Sequence, residues 1–149
     1  MHQTRQLQMD HQQILSILKT FGTLKNKRIL ELGCGIEENP LLLALLREEG
    51  AIITGIDQDA QEHNEDRFMI IRKNVSNVVL EESFDIILSN WFYGVLTTAE
   101  KEQVMRICEK HLTQDGIAIH VTTPRYFSGK SSILLVEKHD EFVLLKRKA

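Results

Sequence analysis

The stretch ILELGCGIEENP, residues 29–40, decides the fold. It begins as a run of apolar residues that suits a buried strand, with one acid, Glu31, in its middle. Gly33 and Gly35 then flank Cys34, and two residues without side chains let a ligand approach the backbone closely near the start of a helix. The sequence therefore predicts a buried strand followed by a ligand-binding loop.

Apolar strands and amphipathic helices alternate on both sides of this stretch. Strands that are almost wholly apolar indicate a parallel sheet covered on both faces, so the predicted fold class is α/β. A first helix is expected over 7–21, and a second from an Asn39 N-cap, with Pro40 at the first helical position, to Gly50. A third is expected after a Thr97–Glu100 capping box, and its inward-facing residues are Val104, Ile107, Cys108 and Leu112. Parallel strands are expected over 28–32, 51–56, 68–72, 84–89 and 117–122.

The last thirty residues depart from this alternation. Segments 133–137 and 142–146 predict a closing antiparallel hairpin, and a helix over 131–139 is the competing interpretation. No helix precedes that hairpin, so Ile133, Leu135 and Val143 would face water and favour a homodimer or another protein partner. With 149 residues and no linker-like segment, the chain is expected to form one domain, 1–149.

Composition excludes several classes of protein. A net charge of −3 gives no broad basic surface, so we expect no nucleic-acid partner. No apolar run reaches the roughly 18 residues of a membrane span, and the polar start lacks a secretory signal, which predicts a cytoplasmic protein with no membrane association. Cys34 and Cys108 form no CxxC pair or Cys/His cluster, so no metal site is expected.

The residues after the first two strands indicate the charge of the ligand. Asp57 follows the second strand, where a carboxylate can accept both hydroxyls of a ribose. The dinucleotide fingerprint needs a small residue at position 38, but this chain has Glu38, which would repel a pyrophosphate. Glu31 adds a second acid before the glycines. NAD is therefore disfavoured, and a ligand with a positive charge near this loop is favoured.

Over residues 27–121 these features resemble the class I S-adenosylmethionine-dependent methyltransferases. ILELGCG is similar to the first motif of that family, TGID to the second, RKNV to the third and FDIILSN to the fourth. The resemblance implies a Rossmann-like doubly wound, mostly parallel sheet with helices on both faces and a C-terminal antiparallel hairpin. It also implies S-adenosylmethionine as the cofactor.

The resemblance further assigns roles to single residues. Gly33 and Gly35 would line the methionine portion of the cofactor, Glu31 would orient its ammonium through water, and Asp57 would hold the ribose hydroxyls. Asn74 and Val75 would meet the adenine, while Ser89 and Asn90 would offer backbone carbonyls to the ammonium. The predicted cofactor-binding set is Glu31, Gly33, Cys34, Gly35, Asp57, Gln58, Asn74, Val75, Ser89 and Asn90.

Candidate catalytic residues follow the fourth and fifth strands. In SNWFYG, Asn90, Trp91 and Tyr93 faintly resemble the NPPY motif of amine methyltransferases without its prolines, or else form an aromatic wall. His120 is a candidate general base, although a lone histidine on an apolar strand is more often a satisfied core residue. The acceptor is expected between the loop after the fourth strand and residues 122–126, with Trp91 as one wall.

Three functions remain open at this stage. The first is an enzyme that transfers a methyl group from S-adenosylmethionine to a small-molecule acceptor. The second is a degenerate cofactor-binding domain that acts as a partner subunit, favoured by Glu37 in place of a small residue and by a short second crossover, 58–67. A nicotinamide-dependent oxidoreductase is the third.

Overall fold

The computed structural model describes residues 9–34, 41–90 and 92–148, and these residues form one eight-stranded sheet with helices on both faces. The α-helices in these ranges are α1 His11–Lys19, α2 Leu41–Glu48 and α3 Thr98–His111. The strands are β1 Arg28–Leu32, β2 Ile52–Ile56, β3 His63–Glu65, β4 Phe68–Ile71, β5 Phe84–Asn90, β6 Leu112–Val121, β7 Leu134–Lys138 and β8 Phe142–Arg147.

The strands lie in the order β3-β4-β2-β1-β5-β6-β8-β7. β1 pairs in parallel with both β2 and β5, whereas β8 is antiparallel to β6 and to β7. The chain therefore adds strands first on one side of β1 and afterwards on the other side. A ligand is expected at the point where this strand order reverses. The α/β fold and the C-terminal hairpin are confirmed, and the competing helix over 131–139 is wrong.

Two apolar layers hold the helices against the sheet. On one face, α1 and α2 pack on β1, β2 and β5 through fully buried residues such as Leu18, Leu43 and Leu88. On the other face, α3 packs through Val104, Ile107 and Cys108, which confirms its predicted inward side. A capping box at Thr97 and Glu100 fixes the start of α3, as expected.

Several predicted boundaries change. Phe21 is half exposed, so the inward face of α1 ends at Leu18. β6 begins at Leu112, directly after α3, and not at 117, because Gly116 lets its backbone lie close to the Phe84 and Asp85 carbonyls. The antiparallel edge strand β3 was missed, since its three residues are all exposed and carry no apolar alternation. Leu7, Asn39 and Pro40 lie outside the described residues.

The face near the terminal hairpin is better covered than the sequence suggested. Ile133 and Leu135 are exposed, as expected, but Val143 is completely buried, so that part of the expectation is wrong. Its strand lies inside the sheet between β6 and β7, and Phe127, from the segment after β6, packs in the same cluster. Phe127 thus takes part of the place of the missing helix, and self-association stays a prediction.

Candidate cofactor site

The carboxyl ends of β1, β2 and β5 meet at one edge of the sheet. Leu32, the last residue of β1, lies opposite Ile56 on one side and Ser89 on the other. The residues that follow these strands, Gly33 and Asp57, and Asn90 at the end of β5, are therefore neighbours. The sequence prediction of a site at this edge depends on this convergence.

A cleft of about 310 Å³ opens beside Asp57 at this edge. It brings together four of the predicted cofactor-binding residues, Asp57, Gln58, Asn74 and Val75. Sequence reasoning missed the rest of its lining. From the sequence, Glu100 is expected only to cap a helix, and the segment after β5 is expected only to take part in catalysis or to form an aromatic wall. The additional lining residues are Ile56, Asp59, Lys73, Phe92, Val95, Leu96 and Glu100.

Hydrogen bonds fix the polar lining of the cleft. Asp57 Oδ1 accepts from the Asp59 N–H at 2.8 Å, and Asn74 Nδ2 donates to Gln58 Oε1 at 2.9 Å and to Glu100 Oε2 at 3.1 Å. Asn74 Oδ1 already accepts from the N–H and the hydroxyl of Ser76, at 2.9 and 2.7 Å. An adenine amine that donated to this oxygen, in the predicted contact between Asn74 and the adenine, would therefore compete with two existing bonds.

The backbone of the glycine loop is used by the fold itself. Gly33 has φ +68°, a left-handed conformation that favours glycine, and its N–H donates to the Ile56 carbonyl at 2.7 Å. The Cys34 N–H donates to the same carbonyl at 3.2 Å. These two N–H groups therefore do not point at a ligand, contrary to the expectation from the sequence. Gly35 lies outside the described residues.

Cys34 is a packing residue in this structure. Its side chain is buried, and a Cβ at Gly55 would lie only 3.0 Å from its sulfur, so the glycine of TGID makes room for the thiol. Burial, and then the nearby Glu31 and Asp57 carboxylates, raise the pKa of Cys34 to about 12. The thiol is therefore neutral and unsuited to nucleophilic chemistry.

Glu31 and Asn90 carry buried oxygens with unused hydrogen-bonding capacity. Within the described ranges, Glu31 Oε1 and Asn90 Oδ1 have no hydrogen-bond partner. By strand alternation both side chains lie on the α1–α2 face, two residues after Ile29 and Leu88 respectively. Burial, and then the Asp57 carboxylate, raise the pKa of Glu31 to about 8. Such groups are costly to bury unsatisfied, so this pair of acceptors suits a cationic N–H donor.

Ser89 and His120 form a second buried polar pair, on the α3 face. Ser89 Oγ and His120 Nδ1 are 2.6 Å apart, and both residues have no exposed surface. Burial lowers the pKa of His120 to about 4, and its ring stacks on Phe127 with a centroid distance of 5.7 Å. These contacts favour the core interpretation over the general-base one, and the catalytic role of His120 stays a prediction.

The expected acceptor position is partly filled by the chain. Tyr93 lies in a short 3₁₀-helix, Tyr93–Val95, and Trp91 lies outside the described residues. A Cβ at Gly94 would lie 3.7 Å from the Tyr126 ring and 3.9 Å from Thr122 Oγ1, so the two segments are near enough for one added carbon to bridge them. Thr122 Oγ1 is itself buried without a hydrogen-bond partner in the described part of the chain. No sequence pattern had marked it.

Residues 30–120, more than half of the chain, match the family described as "Methyltransferase domain". The chain belongs to this methyltransferase family. Membership confirms the resemblance inferred from the four motifs, and it confirms S-adenosylmethionine as the cofactor. No match to the chain was found among proteins with curated descriptions.

Solved structures of methyltransferases share the fold. A TehB-like S-adenosylmethionine-dependent methyltransferase from Corynebacterium glutamicum is 19% identical with a TM-score of 0.61, over 83% of this chain and 82% of that one. Magnesium protoporphyrin IX methyltransferase from Synechocystis, with bound S-adenosylmethionine, is 13% identical with a TM-score of 0.66, and the match covers 93% of this chain and 79% of that one. The 16S rRNA N2 G1207 methyltransferase from T. thermophilus is 20% identical with a TM-score of 0.65, and the match covers 96% of this chain and 44% of that one.

These structures differ in acceptor, since one is named for a porphyrin and another for a ribosomal RNA. At such low identity the likeness establishes the fold and leaves the acceptor to the features of this chain. None of the helices within the described ranges is long and apolar enough to cross a membrane.

Proposed function

We propose that this protein is an S-adenosylmethionine-dependent methyltransferase acting on a small-molecule acceptor. The observation that carries the proposal is a pair of buried oxygens, Glu31 Oε1 and Asn90 Oδ1, that have no hydrogen-bond partner among the described residues and lie at the same sheet edge as the cleft beside Asp57. The cofactor joins an adenosine to an amino acid that bears an ammonium group, and the edge offers a subsite of matching chemistry for each part.

The residues present fit that cofactor. Asp57 would accept hydrogen bonds from the ribose hydroxyls, and the apolar side chains of Val75 and Leu96 would pack against the adenine. Glu31 and Asn90 would accept from the ammonium, which would satisfy atoms that are otherwise costly to bury. The cofactor supplies an electrophilic methyl group, and the protein has to hold the acceptor in line with it and exclude water.

A second cleft supports a small-molecule acceptor. It has a volume of about 680 Å³, within the range of ligand pockets, and lies between α1 and the turn that joins β7 to β8. Phe142, which lines it, lies opposite Val121, and Val121 lies opposite Asn90. The cleft is therefore about two strand spacings, roughly 10 Å, from Asn90 along the same edge of the sheet. A net charge of −3 also favours a small acceptor over a nucleic acid.

One observation favours the second candidate, a cofactor-binding domain without catalysis. The Phe92 ring lies directly against Gly33, and the Gly33 and Cys34 N–H groups are already bonded within the fold. Both features limit access to the loop that resembles the first motif. This candidate predicts nucleoside binding without methyl transfer.

Calorimetry with S-adenosylhomocysteine tests cofactor binding, and transfer of a labelled methyl group to mixtures of small metabolites tests catalysis. We expect micromolar binding, about −8 kcal/mol, that Asp57→Ala weakens by about 1–3 kcal/mol and Asp66→Ala, in the exposed β3–β4 turn, does not change. Labelled product from any metabolite fraction supports catalysis. Binding without product supports the non-catalytic domain, and no binding at millimolar ligand would remove both.

A further inference from the structure

We infer that Phe92 determines how strongly the site discriminates between the complete cofactor and a nucleoside that lacks the amino acid. This inference rests on the proposed function. It concerns a point at which the structure and the proposed binding mode conflict, namely the space over Gly33.

The Phe92 ring fills the space that the glycine leaves open. A Cβ added at Gly33 would lie 2.1, 2.3 and 2.7 Å from the Cδ1, Cγ and Cε1 atoms of that ring, and these are its nearest neighbours. The same ring lines the cleft that contains Asp57 and Asn74. The space that a side chain at Gly33 would need is thus occupied by this aromatic ring.

The buried acceptors are closed off from that cleft. Glu31 and Asn90 each lie two residues before the contacting pair, Gly33 and Phe92, yet neither lines the cleft. Glu31 Oε1 and Asn90 Oδ1 are both inaccessible to solvent. Because the Phe92 ring both lines the cleft and lies against Gly33, two residues after Glu31, we expect a ligand that places its nucleoside beside Asp57 and its ammonium at these oxygens to displace the ring.

Displacement of the ring lowers the affinity for some ligands and not for others. The ring packs against the apolar cluster on the α3 face, and those contacts are lost when it moves. The apparent affinity is the intrinsic affinity multiplied by the fraction of molecules in the binding-competent conformation, so only ligands that require the ring to be displaced bind more weakly. A nucleoside without the amino acid binds in the cleft with the ring in place.

Calorimetry with two ligands on four proteins tests this inference. S-adenosylhomocysteine carries the amino acid, and 5′-methylthioadenosine has the same nucleoside and thioether without it. We expect Phe92→Ala to tighten S-adenosylhomocysteine about tenfold and to change 5′-methylthioadenosine by less than about twofold. Val79→Ala, at an exposed side chain that does not line the cleft, should change neither. If the alanine variant fails to fold, Phe92→Leu, which removes the ring and keeps an apolar side chain, is used in its place.

The outcomes separate the inference from the proposed function. If Phe92→Ala weakens S-adenosylhomocysteine, or leaves the ratio of the two affinities unchanged, the ring is a wall of the site and the inference is overturned while the proposed function stands. If neither ligand binds to the wild type or to either Phe92 variant, the cofactor site itself is refuted. Selective tightening of S-adenosylhomocysteine supports the inference.

Discussion

Two polar pairs are buried at the carboxyl edge of this sheet, on opposite faces, and they are in contrasting states. Ser89 and His120 are bonded to each other at 2.6 Å, and the His120 ring is also stacked on Phe127. Glu31 and Asn90 have oxygens with no partner in the described part of the chain. Both pairs contain buried polar atoms, and what distinguishes the pairs is whether those atoms have hydrogen-bond partners.

The difference indicates which pair serves the fold and which serves a ligand. A buried pair whose members bond each other contributes to stability and leaves no buried orphan atom for a ligand to satisfy. An unsatisfied one costs stability in the free protein, and a ligand that supplies the missing donor recovers that cost. Substitutions in the first pair should therefore affect unfolding, and substitutions in the second should affect binding.

His120→Ala should have the largest effect, on stability. Removing the ring leaves a cavity and an unpaired Ser89 hydroxyl, so we expect a loss of about 2–4 kcal/mol in urea unfolding. The affinity for S-adenosylhomocysteine should change by less than about twofold, or about 0.4 kcal/mol. Ser89→Ala, which removes the same hydrogen bond without the cavity, should cost less. Lost affinity without lost stability would instead place His120 in the ligand site.

Acid unfolding should show the same histidine. Its pKa of about 4 lies below the ordinary 6.5, so the unfolded chain binds a proton that the folded protein does not. Stability from this group is therefore complete above about pH 6.5 and is lost as the pH falls towards 4.

Glu31→Gln should come next, with its effect on binding. At pH 8 we expect S-adenosylhomocysteine to bind about 1.5–3 kcal/mol more weakly, the cost of a charged hydrogen bond. The free variant should be more stable than the wild type, because a neutral amide is cheaper to bury than a carboxylate. Glu48→Gln, on the exposed side of α2, is the matched control for charge. Unchanged affinity would remove Glu31 from the cofactor site.

The pH dependence of binding should be smaller, about tenfold between pH 6.5 and 8, because affinity changes up to tenfold per pH unit below the pKa of the group. Glu31, with a pKa of about 8, must ionise to receive the ammonium, so affinity should rise with pH over this range. Asp57 is the nearby charge, the Cys34 thiol stays neutral, and the strand partners Gly55 and Leu88 do not titrate.

The same proton links Glu31 to folding with the opposite sign. The folded carboxyl holds a proton that the unfolded one releases above about pH 4.5, so the stability of the free protein should fall as the pH rises from there to about 8. Glu31→Gln should flatten both curves. A wild-type affinity that is independent of pH would contradict the assignment.

Asn90→Ala should give the smallest effect, about fivefold weaker binding, which corresponds to roughly 1 kcal/mol for one neutral acceptor. Stability should change little, because the lost Oδ1 makes no hydrogen bond within the described residues. Asn64→Ala, in the exposed strand β3, is the control. A large loss of stability would mean that Asn90 belongs with Ser89 and His120.

The sequence predicted the sheet well because its core strands are marked by apolar runs. Residues 28–32 and 84–89 were placed almost to the residue, and the four motifs led to the correct family. The edge strand β3 was missed because an exposed three-residue strand carries no periodic signal, and Val143 was misplaced because the sequence did not show that β8 lies inside the sheet, between β6 and β7.

The site was predicted less completely than the fold. Asp57, Gln58, Asn74 and Val75 do line one cleft, since residues that follow parallel strands converge at one edge. Sequence could not show that the Gly33 N–H is already bonded, or that Phe92 covers it, because both depend on tertiary packing. Nor could it separate Ser89, whose hydroxyl has a partner, from Glu31, whose Oε1 has none among the described residues.

The place of β8 has a consequence for synthesis of the protein. Among the strands of the described residues, β8 comes last in sequence, yet it lies between β6 and β7 and is the only one of them that pairs with β7. While the chain emerges from the ribosome, one side of β6 therefore stays open until residues 142–147 are available. An open strand edge can pair with other chains, so the period between translation of β6 and arrival of β8 is when the nascent protein is most exposed to aggregation.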